Sequence, residues 1–344
     1  MRLDLTFLSL WGVIAAFLVC AAVIAVAGTK ITGYADRLAD RTGLGEALVG
    51  AVLLGGCTSL SGIVTSVTAA AMGHPVLAVS NAIGGIAAQT AFLGVADMTY
   101  RKANLEHAAA SPANLTQGAL LVTLLGIPLV AMASPDVTVW GVHPATLALV
   151  AAYGFGLHLL HAAKLEPMWA PRRTRETAPE EGPQEDDPAS SRSLWAWFAG
   201  LAAVLAASGY GISQTGLEIA QRTGLSETAV GGVLTAVSTS LPELVTSVAA
   251  VRRGALTLAV GGIIGGNCFD TLFLAFSDVA YREGSLYHAF TDQHLFAIAL
   301  TIVMTGTLLL GLLRRQKVGF GGIGFESALI LALYVGSVAM LVFG

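Results

Sequence analysis

Two acidic side chains lie inside segments that are otherwise apolar. Glu243 follows Pro242 in the run Ser-Leu-Pro-Glu-Leu, and Asp270 ends the run Gly-Gly-Asn-Cys-Phe-Asp. An ionised carboxylate at membrane depth is costly unless it faces a partner or water, so both are candidate functional residues. Proline removes a helix hydrogen bond and frees a backbone carbonyl beside nearby hydroxyl groups. Carboxylate, hydroxyl and carbonyl oxygens together are the ligands that a hard cation prefers.

The composition places these oxygens in a membrane protein. Of the 344 residues, 55% are hydrophobic and 12% are charged, and the mean hydropathy is +0.72. Soluble domains carry about 25% charged residues, so this chain is too apolar to be one. The 40 glycines suit close packing of helices in lipid. The three cysteines lack the spacing of a metal site or a disulfide framework, and we interpret them as packing residues.

Ten apolar runs are each long enough to cross a bilayer about 30 Å thick. They predict an all-α membrane protein with ten transmembrane helices. The runs lie near residues 6–27, 44–72, 75–96, 115–133, 144–162, 194–213, 225–251, 254–279, 293–313 and 323–343. Residues 164–193, between the fifth and sixth runs, are rich in proline and charge, which is typical of a flexible linker. The acidic cluster in this linker fits a solvated segment better than a regulatory cation site.

The basic residues predict the orientation in the membrane. If the N-terminus is outside, 15 of the 18 lysines and arginines fall in loops on the inside. Positive charge accumulates on the cytoplasmic side of membrane proteins. We therefore expect a multi-pass protein of the plasma (inner) membrane with both termini outside and the linker in the cytoplasm.

The two halves of the chain are copies of each other. With an offset of 181 residues, 29 of the 60 positions from 42 to 101 are identical to their partners. Thr58-Ser59-Leu60 meets Thr239-Ser240-Leu241, and Asp97 meets Asp278. Because each copy has five spans, an odd number, the second copy must enter the membrane in the opposite sense. Such inverted repeats are typical of secondary transporters. The predicted units are a first repeat, the linker and a second repeat, at residues 1–163, 164–193 and 194–344.

The second copy resembles a known family. The residues that carry the resemblance are Ser240-Leu241-Pro242-Glu243-Leu244, Thr246-Ser247, Gly261, Gly265, Asn267, Phe269 and Asp270. They resemble the second alpha repeat of the sodium/calcium exchanger superfamily. A weaker first alpha repeat is carried by Thr58-Ser59-Leu60, Thr65-Ser66 and Gly84. The resemblance implies that carboxylate, hydroxyl and amide ligands from the second, third, seventh and eighth spans surround four ion sites.

The first copy departs from the pattern of that family. Gly62 stands where the family has its first glutamate, and Gly85 and Gly266 replace serines. Gln89 faces Asp270 at the repeat offset. The remaining candidate cation ligands have a formal charge of −2, and they are Thr58, Ser59, Gln89, Thr239, Ser240, Glu243 and Asp270.

Four other carboxylates near span ends are interpreted as structural. Asp97 and Asp278 precede Tyr-Arg at the ends of their spans, where a cap or a salt bridge is expected. Glu46 and Glu227 begin their spans, where the positive end of the helix dipole stabilises a carboxylate. None of the four is counted among the ligands.

These observations predict a secondary active antiporter that exchanges Ca²⁺ for Na⁺ or H⁺ by alternating access. We do not expect an enzyme, because Ser59 and Ser240 have no histidine nearby in sequence to act as a base. The expected partners are transported cations and the lipid bilayer, with no nucleic acid and no cofactor. Two alternatives stay open: a transporter or channel for Na⁺, K⁺ or another divalent cation on the same fold, and a non-transporting membrane scaffold.

The carboxylate that is missing at Gly62 bears on the counter-ion. Two carboxylates can neutralise one Ca²⁺, and when that ion leaves, protonation avoids two bare charges in a low-dielectric site. We therefore predict coupling at least partly to H⁺, or to fewer Na⁺ than in the relatives. We also predict that Gly62→Glu alters ion preference or stoichiometry.

Overall fold

Apolar helices of different lengths build the protein. The computed structural model describes residues 3–42, 55–100, 103–165, 169–172, 191–319 and 322–343. The helices are α1 (Leu10–Thr42), α2 (Leu60–Ala71), α3 (Pro75–Thr99), α4 (Pro112–Ala133), α5 (Pro144–Leu165), α6 (Ser191–Thr223), α7 (Glu227–Thr239), α8 (Leu241–Arg253), α9 (Leu256–Asp270), α10 (Leu272–Ala280), α11 (Asp292–Arg314) and α12 (Phe325–Phe343). Two short helices, Leu105–Ala109 and Leu286–Ala289, lie in loops. These residues form no β-sheet.

Eight helical segments of the described residues are long and apolar enough to cross a membrane, and the bent pair α7 and α8 is a ninth when it is counted as one span. In this count α9 and α10 form one continuous segment. The predicted second span, 44–72, begins in residues 43–54, which lie outside the described part. The helical membrane architecture is confirmed, whereas ten spans and the inverted orientation stay predictions.

Two helices are longer than their apolar runs predicted. The first run was expected to end near residue 27, but α1 continues to Thr42, and α6 continues to Thr223 instead of ending near residue 213. The extensions are polar and contain charged residues such as Arg37 and Arg222. A helix does not have to end where its apolar stretch ends, because backbone hydrogen bonding continues beyond it. Hydropathy alone therefore underestimated both helices.

Helix α3 lies at the centre of the protein. In its most apolar stretch of 18 residues, 89% of the residues are buried, compared with 22% in the corresponding stretch of α6 at the periphery. Its backbone comes very close to α7, because a Cβ at Gly84 would overlap the backbone of Gly232. Small residues allow helices to approach in this way in a membrane. The central position explains why the polar side chains of α3 are enclosed by protein.

The long helices α1 and α6 pack together through a separate apolar cluster that includes Ile24 and Ile212. Each also contacts one of the shorter helices through a glycine. A Cβ at Gly28 of α1 would overlap Pro242, and a Cβ at Gly209 of α6 would overlap the backbone of Ser61. These two contacts are separated by the repeat offset of 181 residues on both sides. The α1 and α6 pair therefore touches α8 and α2 next to the residues that could bind a cation.

Candidate functional site

The candidate site lies where two helical segments are interrupted. Helices α7 and α8 meet at Ser240 with a bend of 45°. Pro242 is the second residue of α8 and has no N–H, so the carbonyl of Ser238 loses its helical partner. In the other repeat, Ser59 is a turn residue between the helical residues 55–58 and α2. The break that Pro242 predicts is confirmed, and an equivalent one occurs at Ser59 without a proline.

Asp270 is held by side chains of the opposite repeat. Ser59 Oγ donates to Oδ1 of Asp270 at 2.5 Å, and Gln89 Nε2 donates to Oδ2 at 2.6 Å. The same Gln89 nitrogen also lies 3.2 Å from Ser240 Oγ, to which it donates. The predicted facing of Gln89 and Asp270 is confirmed by this hydrogen bond. The network joins α3, α9 and both helix breaks in one buried polar centre.

Glu243 lies in the first turn of α8 and is buried. Thr58 hydrogen-bonds to its carboxylate, Asp270 is near enough to act on it electrostatically, and its Oε2 has no hydrogen-bond donor. No lysine or arginine of the described part forms an ion pair with Glu243 or Asp270. The start of α8 favours negative charge through the helix dipole, but this effect is worth only about 0.3–1 kcal/mol at most exposed sites. A buried carboxylate of this kind needs a proton or a cation beside it.

Thr239 belongs to the same helix break but bonds to its own helix. Its Oγ1 donates to the carbonyl of Thr235 at 3.0 Å and lies 3.2 Å from that of Ala236. Thr58 likewise donates to the carbonyl of Gly55 at 3.1 Å. The Thr239 proton therefore points to the backbone. The single Thr58 proton has two available acceptors, the Gly55 carbonyl and the Glu243 carboxylate. The lone pairs of both hydroxyl oxygens can still bind a cation.

Three buried oxygens around this centre have no hydrogen-bond donor: Glu243 Oε2, Gln89 Oε1 and Asn267 Oδ1. An unsatisfied buried acceptor costs about 1–3 kcal/mol, and a bound cation removes that penalty. Asn267 was not among the predicted ligands, although it belongs to the Gly-Gly-Asn run; its Nδ2 donates to Thr90 Oγ1 at 3.0 Å. Among the described residues, no three His, Cys, Asp or Glu side chains are arranged like a metal site. The centre thus combines two acids with neutral oxygens.

The glycines that replace family ligands are not equivalent. A Cβ at Gly62 would lie 2.6 Å from Cε2 and 3.0 Å from Cζ of Phe273, so an aromatic ring occupies the space of the missing glutamate. A Cβ at Gly85 would come no closer than 3.5 Å to Ser240 Oγ, and a Cβ at Gly266 no closer than 3.5 Å to Gln89 Oε1. The last two positions could hold a serine, whereas position 62 cannot hold any side chain unless Phe273 moves.

Asn81 is a second polar residue that the sequence reasoning missed. Its Nδ2 donates to Ser66 Oγ at 2.9 Å and to the carbonyl of Gly62 at 3.3 Å, and its Oδ1 accepts from Thr235 Oγ1 at 2.7 Å. These bonds connect α3 to α2 and to α7. The only signal in the sequence was a lone asparagine in an apolar span.

Carboxylates outside this centre have the structural roles that were predicted, with one addition. Asp97 accepts from the backbone N–H groups of Leu105 and Gly324, and Asp278 from those of Leu286 and His143. Both therefore cap loops, as expected. Glu227 pairs with His74 Nδ1 at 2.7 Å besides starting α7, and Glu46 lies outside the described residues.

The chain is similar to known cation exchangers. Residues 12–162 and 193–343 match the family described as sodium/calcium exchanger protein. The sodium/calcium exchanger MaX1 of Methanosarcina acetivorans is 32% identical over 119 residues, so the match spans only 33% of that relative and 33% of this chain. The solved sodium-calcium exchanger NCX_Mj has a TM-score of 0.61 and 19% identity, over 96% of this chain and 99% of that one. The H⁺/Ca²⁺ exchanger CAX has a TM-score of 0.66 and 14% identity, over 96% and 82%.

Proposed function

Because the chain belongs to the sodium/calcium exchanger family, a family of secondary transporters and not of enzymes, we propose that it is an antiporter that exchanges Ca²⁺ for Na⁺ or H⁺ by alternating access. We place it in the plasma (inner) membrane with both termini outside and the linker in the cytoplasm. The observation that carries the proposal is the pair of buried carboxylates, Glu243 and Asp270, without a basic partner among the described residues.

The donor set suits a divalent cargo. Ca²⁺ takes six to eight oxygen ligands and tolerates irregular geometry. Asp270 already accepts two hydrogen bonds, so the donor-free oxygens of Glu243, Gln89 and Asn267 are the ones that a cation would satisfy first. The Asp270 carboxylate and the hydroxyls of Thr58, Ser59, Thr239 and Ser240 complete the candidate set. The two carboxylates together neutralise one Ca²⁺.

Access to the site is proposed to change through the α1 and α6 pair. Gly28 of α1 packs against Pro242, which directly precedes Glu243. Gly209 of α6 packs against the backbone of Ser61, two residues after Ser59. A sliding movement of the pair therefore shifts both helix breaks together. Such motion of one bundle against the rest is how inverted-repeat transporters expose a central site to either side.

The counter-ion follows from the two charges of the pocket. Once the divalent ion has left, two protons or two monovalent cations restore neutrality in a low-dielectric site. Phe273 fills the place of a third carboxylate at position 62, so among the described residues Glu243 and Asp270 are the two acids of this pocket available to cations. We therefore propose coupling at least partly to H⁺, or to fewer Na⁺ than in the relatives.

The same observation favours one second candidate function. A pocket with two carboxylates and neutral oxygens also suits exchange of monovalent cations on this fold. Counterflow assays distinguish the two functions, because only a Ca²⁺ antiporter accumulates Ca²⁺ against an opposing Na⁺ or H⁺ gradient. A protein that moves no cation under any gradient would instead be a scaffold.

The decisive experiment measures ⁴⁵Ca²⁺ uptake into proteoliposomes under imposed Na⁺ or H⁺ gradients. We expect uptake by the wild type and flux at the level of empty liposomes for Glu243→Gln, because the amide keeps the shape of the side chain and removes its charge. Glu283→Gln is the matched control, since it makes the same charge change in an exposed loop. Wild-type flux in Glu243→Gln would remove Glu243 from the site. Steep, cooperative Na⁺ dependence that is insensitive to pH would contradict the proposed coupling.

A further inference from the structure

A second group of buried acids lies at the far end of α3, about two helical turns beyond Gln89. Glu106, in the short helix Leu105–Ala109, and Glu326, in the first turn of α12, are 1% and 0% exposed. Ser327 Oγ donates to Glu106 Oε1 at 2.8 Å. The other oxygen of Glu106 and both oxygens of Glu326 have no hydrogen-bond donor. The transport proposal gives these residues no role.

The donor-free oxygens of the two glutamates point into the same space. Both oxygens border Gly324, which has no side chain. A Cβ placed on this glycine would lie 3.1 Å from Glu106 Oε2 and 3.1 Å from Glu326 Oε1. The two oxygens are therefore separated by less than twice that distance. Two buried carboxylates this close cannot both be ionised without a counter-charge, because burial and mutual repulsion both oppose it.

Among the residues that the structure describes, the charged groups of Asp97, Arg314 and Arg315 do not pair directly with either glutamate. Asp97 of α3 adds a third acid, although its own oxygens accept two backbone N–H groups. Arg314 of α11 acts on Glu326 electrostatically but is exposed and lies over the ring of Phe325 at 5.0 Å. The guanidinium of Arg315 bonds to backbone carbonyls of the short helix and the linker.

The other repeat contains the equivalent contact between a short loop helix and the start of a long helix, but without the pair of glutamates. At the offset of 181 residues, Tyr287 takes the place of Glu106, Ala145 that of Glu326 and Thr146 that of Ser327. Thr146 Oγ1 lies 2.7 Å from Asp278 Oδ2 and 3.0 Å from the Tyr287 hydroxyl, so the polar groups there are satisfied. The equivalent region of the other repeat therefore forms with one acid, Asp278, and without a second pair of buried glutamates.

We propose that Glu106 and Glu326 form a proton-binding site, separate from the transport pocket, that joins the start of α12 to the short helix Leu105–Ala109. With one proton bound, the protonated carboxyl donates to the other carboxylate and a single negative charge is shared. When that proton passes to water, the two carboxylates repel each other and the contact opens. The ligand of the site is H⁺.

The direction of the pH effect follows from Glu106, which lies in a loop. Burial first, and then the charges of Asp97 and Glu326, raise the pKa of Glu106 from 4.5 to about 8. A raised folded-state pKa of an acid means that the protonated form stabilises the contact. The stabilisation is complete below pH 4.5 and is lost as the pH rises through about 8.

Hydrogen–deuterium exchange of the full-length protein in detergent tests the site without any transport assay. After correction for intrinsic exchange, we expect the amides at the start of α12 to lose protection between pH 6 and pH 8.5 in the wild type, by up to about tenfold per pH unit for one proton. Glu106→Gln and Glu326→Gln should each remove this pH dependence, and Glu283→Gln, in an exposed loop, should keep it.

Three results would overturn the site. The first is the wild-type pH dependence in both glutamine variants, and the second is equal protection of the wild type at pH 6 and pH 8.5. The third is recovery of protection at pH 8.5 when CaCl₂ is added to EDTA-treated Glu243→Gln protein, whose transport pocket lacks that carboxylate, because the ligand of the Glu106 and Glu326 site would then be a metal ion. If one glutamine variant does not fold, the other and the wild-type pH series still decide between these outcomes.

Discussion

Replacing Gly62 tests whether an aromatic ring has taken the place of a family ligand. A Cβ at this position would lie 2.6 Å from the ring of Phe273, so even Gly62→Ala must displace it. Overfilling a packed core costs about 1–3 kcal/mol. Gly62→Glu adds the desolvation of a carboxylate to that penalty. We therefore expect both variants to be less stable than the wild type, and Gly62→Glu to be the less stable of the two.

Combining Gly62→Glu with Phe273→Ala tests directly whether the two side chains compete for the same space. Phe273→Ala alone should cost about 3–5 kcal/mol, because it leaves a cavity. In the double variant Gly62→Glu and Phe273→Ala, the new side chain enters that cavity. Residues in direct contact show coupling energies of about 0.5–3 kcal/mol, so the double variant should be more stable than the sum of the single changes implies.

Thermal unfolding in detergent measures the coupling, and Ca²⁺ flux against Na⁺ at several pH values measures its effect on transport. The pair Gly62→Ala and Phe273→Ala is the control, since it relieves the clash without adding charge. The sequence predicted a change in ion preference for Gly62→Glu alone. Because Phe273 occupies the space at position 62, we expect that change to be clear only when the glutamate is present and the ring is absent. Wild-type stability and flux in Gly62→Glu alone would refute the reasoning, because the space would then not be filled.

Three further outcomes are expected. Gly84→Ala should abolish folding or transport because its Cβ meets backbone, whereas Gly85→Ala, with its nearest neighbour at 3.5 Å, should fold; yield and size-exclusion profiles check this, and equal behaviour would contradict it. Asp97→Asn and Asp278→Asn should each lower stability by about 1–3 kcal/mol in thermal unfolding, because each loses a charged loop cap; an unchanged transition would disprove the cap. A cysteine at Ser190, in a background without native cysteines, should resist impermeant reagents in intact cells, and labelling would reverse the orientation.

The repeat offset made part of the site predictable from the sequence. Sliding the chain by 181 residues placed Gln89 opposite Asp270, and the structure joins them by a hydrogen bond of 2.6 Å. The same offset relates the caps at Asp97 and Asp278. Pro242 predicted the bend of α7 and α8 because a proline has a fixed local effect on a helix. The binding roles of the candidate ligands stay predictions.

Other features depend on contacts that no local pattern encodes. Phe273 is 211 positions from Gly62, and its ring reaches that glycine only because α10 packs on α2. Asn81 looked like an isolated polar residue, and its hydrogen bonds to α2 and α7 appear only in the fold. Asn267 belonged to the recognised motif, but only the structure shows that its Oδ1 has no donor. Glu106 and Glu326 are likewise paired by the meeting of a loop with α12. Hydropathy also underestimated the lengths of α1 and α6, because it identifies the apolar stretch that crosses the membrane and not the polar residues by which a helix continues beyond it.

The ring of Phe273 has a consequence for the energy source of the proposed exchange. A pocket with two carboxylates is electrically neutral with one Ca²⁺ and also with two protons, so neither half of that cycle moves net charge across the bilayer. Each net charge that crosses is worth about 2.3 kcal/mol per 100 mV of membrane potential. A carrier of this kind is driven by ion concentrations alone, and its direction of exchange does not change when the cell depolarises.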